Sequence, residues 1–339
     1  MSSAAMSRRP RAAVLLTPAL REDLFGGPGW KELDEVVEIV VHDADADTLL
    51  AHPRRALVEI LITSWGAPRL TAEVLDALPA LHTVVHAAGS VRALVTDAVW
   101  ERGLVVVSAA DANNEPVAEY VYAQTVLALK DAHRRSRHIA ATRTLPPVEG
   151  IPGIYGQPVG LVSFGSVARK VAARLHRLET DVRAWDPYQD PGALREAGVT
   201  AVGELADLLA GCRVVSVHTP LIPGRTEKLI TGELLRLLPR GATLVNTARG
   251  AVIDEEALIE VLTERPDLFA VLDVTAEEPP APDSALHTLP NVILTGHVAG
   301  TVGGERRAMG RLVTGELRRL AAGSAPLHAV SAREAGLRA

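Results

Sequence analysis

Three segments of the 339-residue chain carry residue types able to grip an acid and move a proton. Val245-Asn246-Thr247-Ala248-Arg249-Gly250 sets an arginine just past an apolar run, and Leu272-Asp273-Val274 leads to Glu277-Glu278-Pro279. Leu294-Thr295-Gly296-His297 ends in a histidine. A cation, a carboxylate and an imidazole are what carbonyl reduction needs. Arginine grips a 2-oxo acid and polarises its carbonyl. Histidine delivers the proton, and a carboxylate on the far ring nitrogen holds the tautomer and favours the protonated ring. Taken singly, Arg249 reads as a surface ion-pair partner, Glu278 as a solvated loop acid and His297 as a turn residue. Placed after successive strands of one sheet, they read as a site.

A second pattern points to a dinucleotide. Val159–Phe164 followed by Gly165-Ser166-Val167-Ala168 reads as a strand, a tight turn and a helix start. The G-x-G-x-x-G template falls on residues 163–168 with only the central glycine, Gly165, intact; that glycine lets a pyrophosphate approach the backbone. Any βα turn can contain one glycine, so a second marker matters. The strand Asp181–Trp185 ends in Asp186-Pro187, 21 residues beyond Gly165. A carboxylate there accepts hydrogen bonds from both ribose hydroxyls and repels a 2′-phosphate, which favours NAD over NADP. The plainer reading has Asp186 open a turn before Pro187.

The elements that must position these groups alternate along the chain. Ala12–Leu16, Val36–Val41, Val58–Thr63, Thr83–Ala87 and Val105–Val107 read as buried parallel strands, with helices at Leu70–Leu78 and Val95–Arg102. Glu115–Ala132 reads as a long helix with Pro116 near its start. Residues 134–157, basic and then rich in Pro and Gly, read as a surface connection. A second series has strands at Val159–Phe164, Asp181–Trp185, Val214–His218, Thr243–Asn246, Ala270–Asp273 and Val292–Thr295. Helices lie between or beside these strands, and Glu305–Ala322 is an amphipathic helix. Such alternation means doubly wound parallel sheets, hence two α/β domains.

Composition narrows the class further. The length suits about two domains at roughly 100–200 residues each. A net charge of −6 without a basic stripe makes nucleic acid an unexpected partner. Cys212 is the one cysteine, so an intramolecular disulfide and a thiolate-rich metal site are excluded, and no metal is expected. No apolar run approaches the ~20 residues of a membrane span, and Met1–Arg11 lacks the apolar stretch of a secretory leader. A cytoplasmic protein with no membrane partner is the expectation.

With these residues in hand, the chain resembles the D-isomer-specific 2-hydroxyacid dehydrogenase family, which includes phosphoglycerate dehydrogenases and glyoxylate/hydroxypyruvate reductases. The resemblance lies in Val159–Val171, VVSVHTP at Val214–Pro220, GATLVNTARGAVIDEEAL at Gly241–Leu258, DVTAEEP at Asp273–Pro279, His297–Thr301 and the tail Leu317–Val330. It implies two Rossmann-like domains with an active-site cleft between them: a substrate domain, 1–108 completed by 302–339, and an NAD domain, 109–301. It also implies hydride transfer between nicotinamide and a D-2-hydroxy or 2-oxo acid, with Arg249, Glu278 and His297 catalytic and a homodimer as the assembly. Gly165, Ser166, Val167, Asp186, Thr219, Thr247, Ala248, Asp273, Ala299 and Gly300 would line the cofactor, Asp273 near the nicotinamide carboxamide. Ser64, Trp65, Gly66, Ala88, Gly89 and Ser90 would face the substrate, the loop 87–90 offering backbone N–H groups to its carboxylate.

The departures carry expectations of their own. Ser163 replaces a family glycine and should shift the pyrophosphate slightly. Gly296 replaces a proline and should loosen the backbone that aims His297. Arg92 stands where an aspartate is usual, which bears on the substrate class, and Trp65 reads either as a pocket wall or as a packed loop aromatic. The basic cluster Arg134, Arg135 and Arg137 reads as a solvated helix end, with a phosphate contact as the other reading. No regulatory domain is expected beyond residue 339, an expectation that argues against an allosteric biosynthetic phosphoglycerate enzyme. An NAD(H)-sensing regulator similar to corepressors of this fold is the competing class.

Overall fold

The computed structural model describes residues 8–43 and 45–337. The part of the Met1–Arg11 stretch up to residue 7 therefore lies outside the described residues. The chain forms two compact units, Met1–Asn113 with Thr301–Ala339, and Asn114–Gly300.

The first unit holds a parallel sheet of β1 (Arg11–Leu15), β2 (Glu38–Val41), β3 (Ile60–Thr63), β4 (Thr83–His86) and β5 (Val105–Ser108) in the order β2-β1-β3-β4-β5. Alternate residues point to opposite faces of a strand. Ala12, Val14, Ile60 and Ile62 accordingly pack with Leu24, Leu33, Met309 and Val313 from the helices Pro18–Leu24, Gly26–Val36 and Arg306–Ala321. Ala13, Leu61, Val84 and Val106 pack on the other face with Leu49, Leu75 and Val99. The returning chain covers the β5 edge: Ser108 N donates to His328 O at 3.1 Å and Val330 N to Val106 O at 2.8 Å. Thr301 N and Oγ1 both donate to Asn113 Oδ1, at 3.1 and 2.9 Å.

The second unit holds β6 (Pro158–Val162), β7 (Asp181–Trp185), β8 (Thr200–Ala201), β9 (Val214–Val217), β10 (Thr243–Asn246), β11 (Phe269–Leu272) and β12 (Val292–Leu294). All pairs are parallel, in the order β12-β11-β10-β9-β6-β7-β8. The strand order reverses between β6 and β9, and that reversal opens the crevice in which doubly wound sheets take ligands. Among the described residues no helix is long and apolar enough to cross a membrane.

Several expectations change. The long helix runs Ala110–Leu129, so Pro116 lies inside it, where its missing N–H deprives the carbonyl four residues back of a helical donor. The supposed surface connection begins as a helix, Ala132–Thr142. Its arginines also bind main chain: Arg134 donates to Ala242 O at 2.8 Å, Arg135 to the carbonyls of Pro146 and Pro147, and the exposed Arg137 to those of Leu289 and Val292. The helices Pro18–Leu24 and Gly26–Val36 were not expected either.

Candidate active site

The register of the second sheet aligns the ends of six strands. Trp185 pairs with Val162, Val162 with Val217, Val217 with Asn246, Asn246 with Leu272 and Leu272 with Leu294. The residues that follow, Asp186, Ser163, His218, Thr247, Asp273 and Thr295, stand in one row along the C-terminal edge. Arg249, Glu278 and His297 come three, six and three residues past the aligned ends of β10, β11 and β12.

His297 Nδ1 lies 2.7 Å from Glu278 Oε2, and both side chains are partly open to solvent. A ring nitrogen this close to a carboxylate carries the proton, so Nε2 is the nitrogen left to exchange one. The loop bearing His297 is pinned from below. Asp273 is 2% exposed; its Oδ1 accepts from Thr295 Oγ1 at 2.6 Å and Val298 N at 2.9 Å, and its Oδ2 from Ala299 N at 2.9 Å. Gly296 and His297 have φ of 71° and 63°. Proline, with φ fixed near −65°, has no access to the Gly296 conformation. The glycine here serves a left-handed turn that Asp273 fastens.

The two other loops are equally braced. Asn246 accepts from Ala248 N at 3.1 Å and donates to Arg249 O at 3.1 Å, which fixes the turn before Arg249. A Cβ on Gly250 would stand 1.9 Å from the Thr275 carbonyl carbon, so the segments after β10 and β11 touch through backbone. Thr275 Oγ1 donates to Glu277 O at 2.6 Å and Ala276 N to Glu255 Oε2 at 2.7 Å, holding the segment that presents Glu278.

At the strand-order reversal, Asp186 accepts from Phe164 N and Tyr188 N at 2.8 Å and from Gln189 N at 3.2 Å. It therefore opens a turn, as the plainer reading had it, and the same bonds hold its carboxylate at the tip of β7. Ser163 adopts φ 70°, a value at which glycine is unstrained, and its Oγ lies 2.8 Å from Thr219 Oγ1 across the reversal. Ser166 opens the ten-residue helix Ser166–Leu175 with Val167 in its first turn, and Ala248, Ala299 and Gly300 lie on the loops already described.

Within the first unit, Ser64 Oγ donates to Ala87 O at 2.7 Å, tying the loops after β3 and β4. Trp65 is 45% exposed and carries the Arg306 guanidinium 5.5 Å from its ring centroid, while Gly66 has φ 80°. Arg92 turns away from the loop 87–90 to donate to Gly336 O, and its N–H donates to Ser90 Oγ at 3.3 Å.

Residues 122–299 match the family described as D-isomer specific 2-hydroxyacid dehydrogenase, NAD binding domain. The chain is 34% identical over 259 residues to (S)-sulfolactate dehydrogenase of Chromohalobacter salexigens, covering 71% of this chain and 82% of that protein. It is 29% identical over 312 residues to D-3-phosphoglycerate dehydrogenase of Methanocaldococcus jannaschii, covering 91% of this chain and 57% of that protein. The chain belongs to the D-isomer specific 2-hydroxyacid dehydrogenase family. It spans about half the length of the phosphoglycerate dehydrogenases it matches. In fold it is similar to the D-mandelate dehydrogenase of Rhodotorula graminis, with a TM-score of 0.79 at 24% identity over 95% of this chain and 98% of that one.

The family's cofactor, NAD, fits the residues present. A Cβ on Gly165 would meet nothing within 4 Å, so the space before the helix Ser166–Leu175 is open. The first N–H groups of a helix have no intrahelical acceptor and suit a pyrophosphate. Two buried polar atoms without partners, Thr247 Oγ1 and His218 Nε2, follow β10 and β9 on the same edge. His218 was absent from the expected site residues; the signal for it was its place beside Thr219 in VVSVHTP, at a strand end. Burial pushes its ring down to about 3, so it is neutral and able to accept as well as donate.

Proposed function

We propose that the protein is an NAD-dependent oxidoreductase interconverting a 2-oxo acid and a D-2-hydroxy acid. The observation that carries this reading is the His297 Nδ1–Glu278 Oε2 pair, 2.7 Å apart, on the strand edge that also presents Gly165, Asp186 and Arg249. The second unit serves as the NAD domain and the first as the substrate domain.

NAD supplies the hydride acceptor or donor. Asp186 receives the ribose hydroxyls, and the Gly165 turn with the helix start receives the pyrophosphate. Arg249 binds the carboxylate and carbonyl of the substrate and stabilises negative charge developing on the carbonyl oxygen. His297 Nε2 gives that oxygen its proton during reduction and removes it during oxidation, and Glu278 keeps Nδ1 protonated throughout. Trp65, Gly66 and the loop 87–90 contact the substrate.

A homodimer in the cytoplasm belongs to the same reading. Leu145, Val148 and Tyr155 expose 82%, 66% and 75% of their surface along one segment of the NAD domain, an apolar row that a second copy would cover. Cys212 is the one cysteine and is buried and free, so no disulfide framework argues for an oxidising compartment. The test is NADH oxidation at 340 nm with glyoxylate, hydroxypyruvate, pyruvate, phenylpyruvate and 3-phosphohydroxypyruvate. Turnover of one or more is expected; silence across the panel with NADH still bound would overturn the enzyme assignment.

A further inference from the structure

The loop after β4 has an uneven distribution of hydrogen bonds. Each carbonyl from Ala87 to Gly89 is held by a buried serine: Ser64 Oγ donates to Ala87 O at 2.7 Å, and Ser108 Oγ is shared between Ala88 O at 3.2 Å and Gly89 O at 2.6 Å. Ser64 and Ser108 are 1% and 4% exposed, and Ser108 Oγ is itself fixed by Ala110 N at 3.1 Å. Beneath them, His86 hydrogen-bonds Thr63 Oγ1 at 2.9 Å and the backbone of Ser90. The N–H groups of Ala88, Gly89 and Ser90, by contrast, find no acceptor among the described residues.

A peptide plane is rigid, so holding a carbonyl on one side points the next N–H to the other. Successive N–H groups freed in this way form a concavity for an anion. We propose that Ser108 and Ser64 are positioning residues that lock the 87–90 peptides with their N–H groups turned outward, and so set the affinity for the substrate's carboxylate. Ser64 then acts from behind the loop, whereas the expectation had it touching the substrate. The inference rests on the reading of 87–90 as a substrate loop.

Oxalate, a dicarboxylate close in shape to a 2-oxo acid, provides a probe that needs no turnover. Its affinity for the NADH-loaded full-length protein is measured by calorimetry for the wild type, Ser108→Ala and Ser108→Thr, alongside KM and kcat for the best 2-oxo acid. Ser108→Ala should weaken oxalate by about tenfold or more, because the loop N–H groups that would bond its charged carboxylate lose their alignment. KM should rise to match while kcat changes by less than about threefold. Ser108→Thr, which keeps the hydroxyl, should restore both. Should Ser108→Ala fail to fold, Ser64→Ala reads the same device through Ala87 O. Unchanged oxalate affinity, or a fall in kcat at constant KM, would overturn the proposal, as would a wild type that binds no oxalate. Oxalate binding that depends on Ser108 in a protein inert to every 2-oxo acid would uphold the loop and overturn the enzymatic reading.

Discussion

The main-chain N–H of His297 donates to the carbonyl of Asp273 at 2.6 Å, while the Asp273 carboxylate takes the next two N–H groups, those of Val298 and Ala299. One residue at the end of β11 thus holds three consecutive peptides of the loop after β12. Asp273→Ala should lower stability by about 2–3 kcal/mol, because buried donors lose a charged acceptor. It should also reduce kcat by roughly tenfold or more through misplacement of His297. Urea denaturation and steady-state kinetics check both, and a variant with wild-type stability and turnover would remove the pinning role.

Gly296→Pro is the substitution that sequence comparison would call harmless. With φ of 71° at that position, it forces the loop to rearrange. The expected cost is ~1–3 kcal/mol, with loss of most activity. A stable, active Gly296→Pro protein would show that the left-handed turn is dispensable.

Asp186→Ala should narrow the preference for NAD over NADP, since the carboxylate that repels a 2′-phosphate is gone. Dissociation constants for NADH and NADPH, read by fluorescence, decide this without reference to turnover. An unchanged ratio would leave Asp186 with its turn-forming bonds alone.

Burial pushes the His86 ring down to about 4. In the unfolded chain a histidine takes up its proton near pH 6.5, so between pH 6.5 and 4 the unfolded state binds more protons and stability falls as pH falls. That window is worth roughly 3 kcal/mol at most. Denaturation midpoints at pH 7 and pH 4.5 should converge in His86→Gln relative to the wild type. Equal acid sensitivity in both proteins would contradict the assignment.

Much of this molecule is legible in its sequence. The strands are continuous apolar runs because both faces of each sheet are covered, and the residues proposed for the chemistry follow them on one edge because the strand ends are aligned. The helix Gly26–Val36 escaped because its Gly-Gly-Pro-Gly start reads as a loop. Packing outweighs propensity in that region. The neighbouring helix Pro18–Leu24 is approached so closely that a Cβ on Gly310 would lie 1.9 Å from Leu24 O. The helix Ala132–Thr142 is held by arginines donating to carbonyls distant in sequence. The sequence singles out Asp273, yet its hold on the His297 loop is a tertiary hydrogen-bond pattern that spacing does not encode.

The central claim is that His297 exchanges the proton that accompanies hydride transfer. Its most direct test is kcat of His297→Ala at 340 nm with the best 2-oxo acid, with NADH affinity measured on the same sample. Loss of ~10²–10⁴ in kcat with NADH affinity retained is the predicted result. Near-normal turnover in that variant would contradict it.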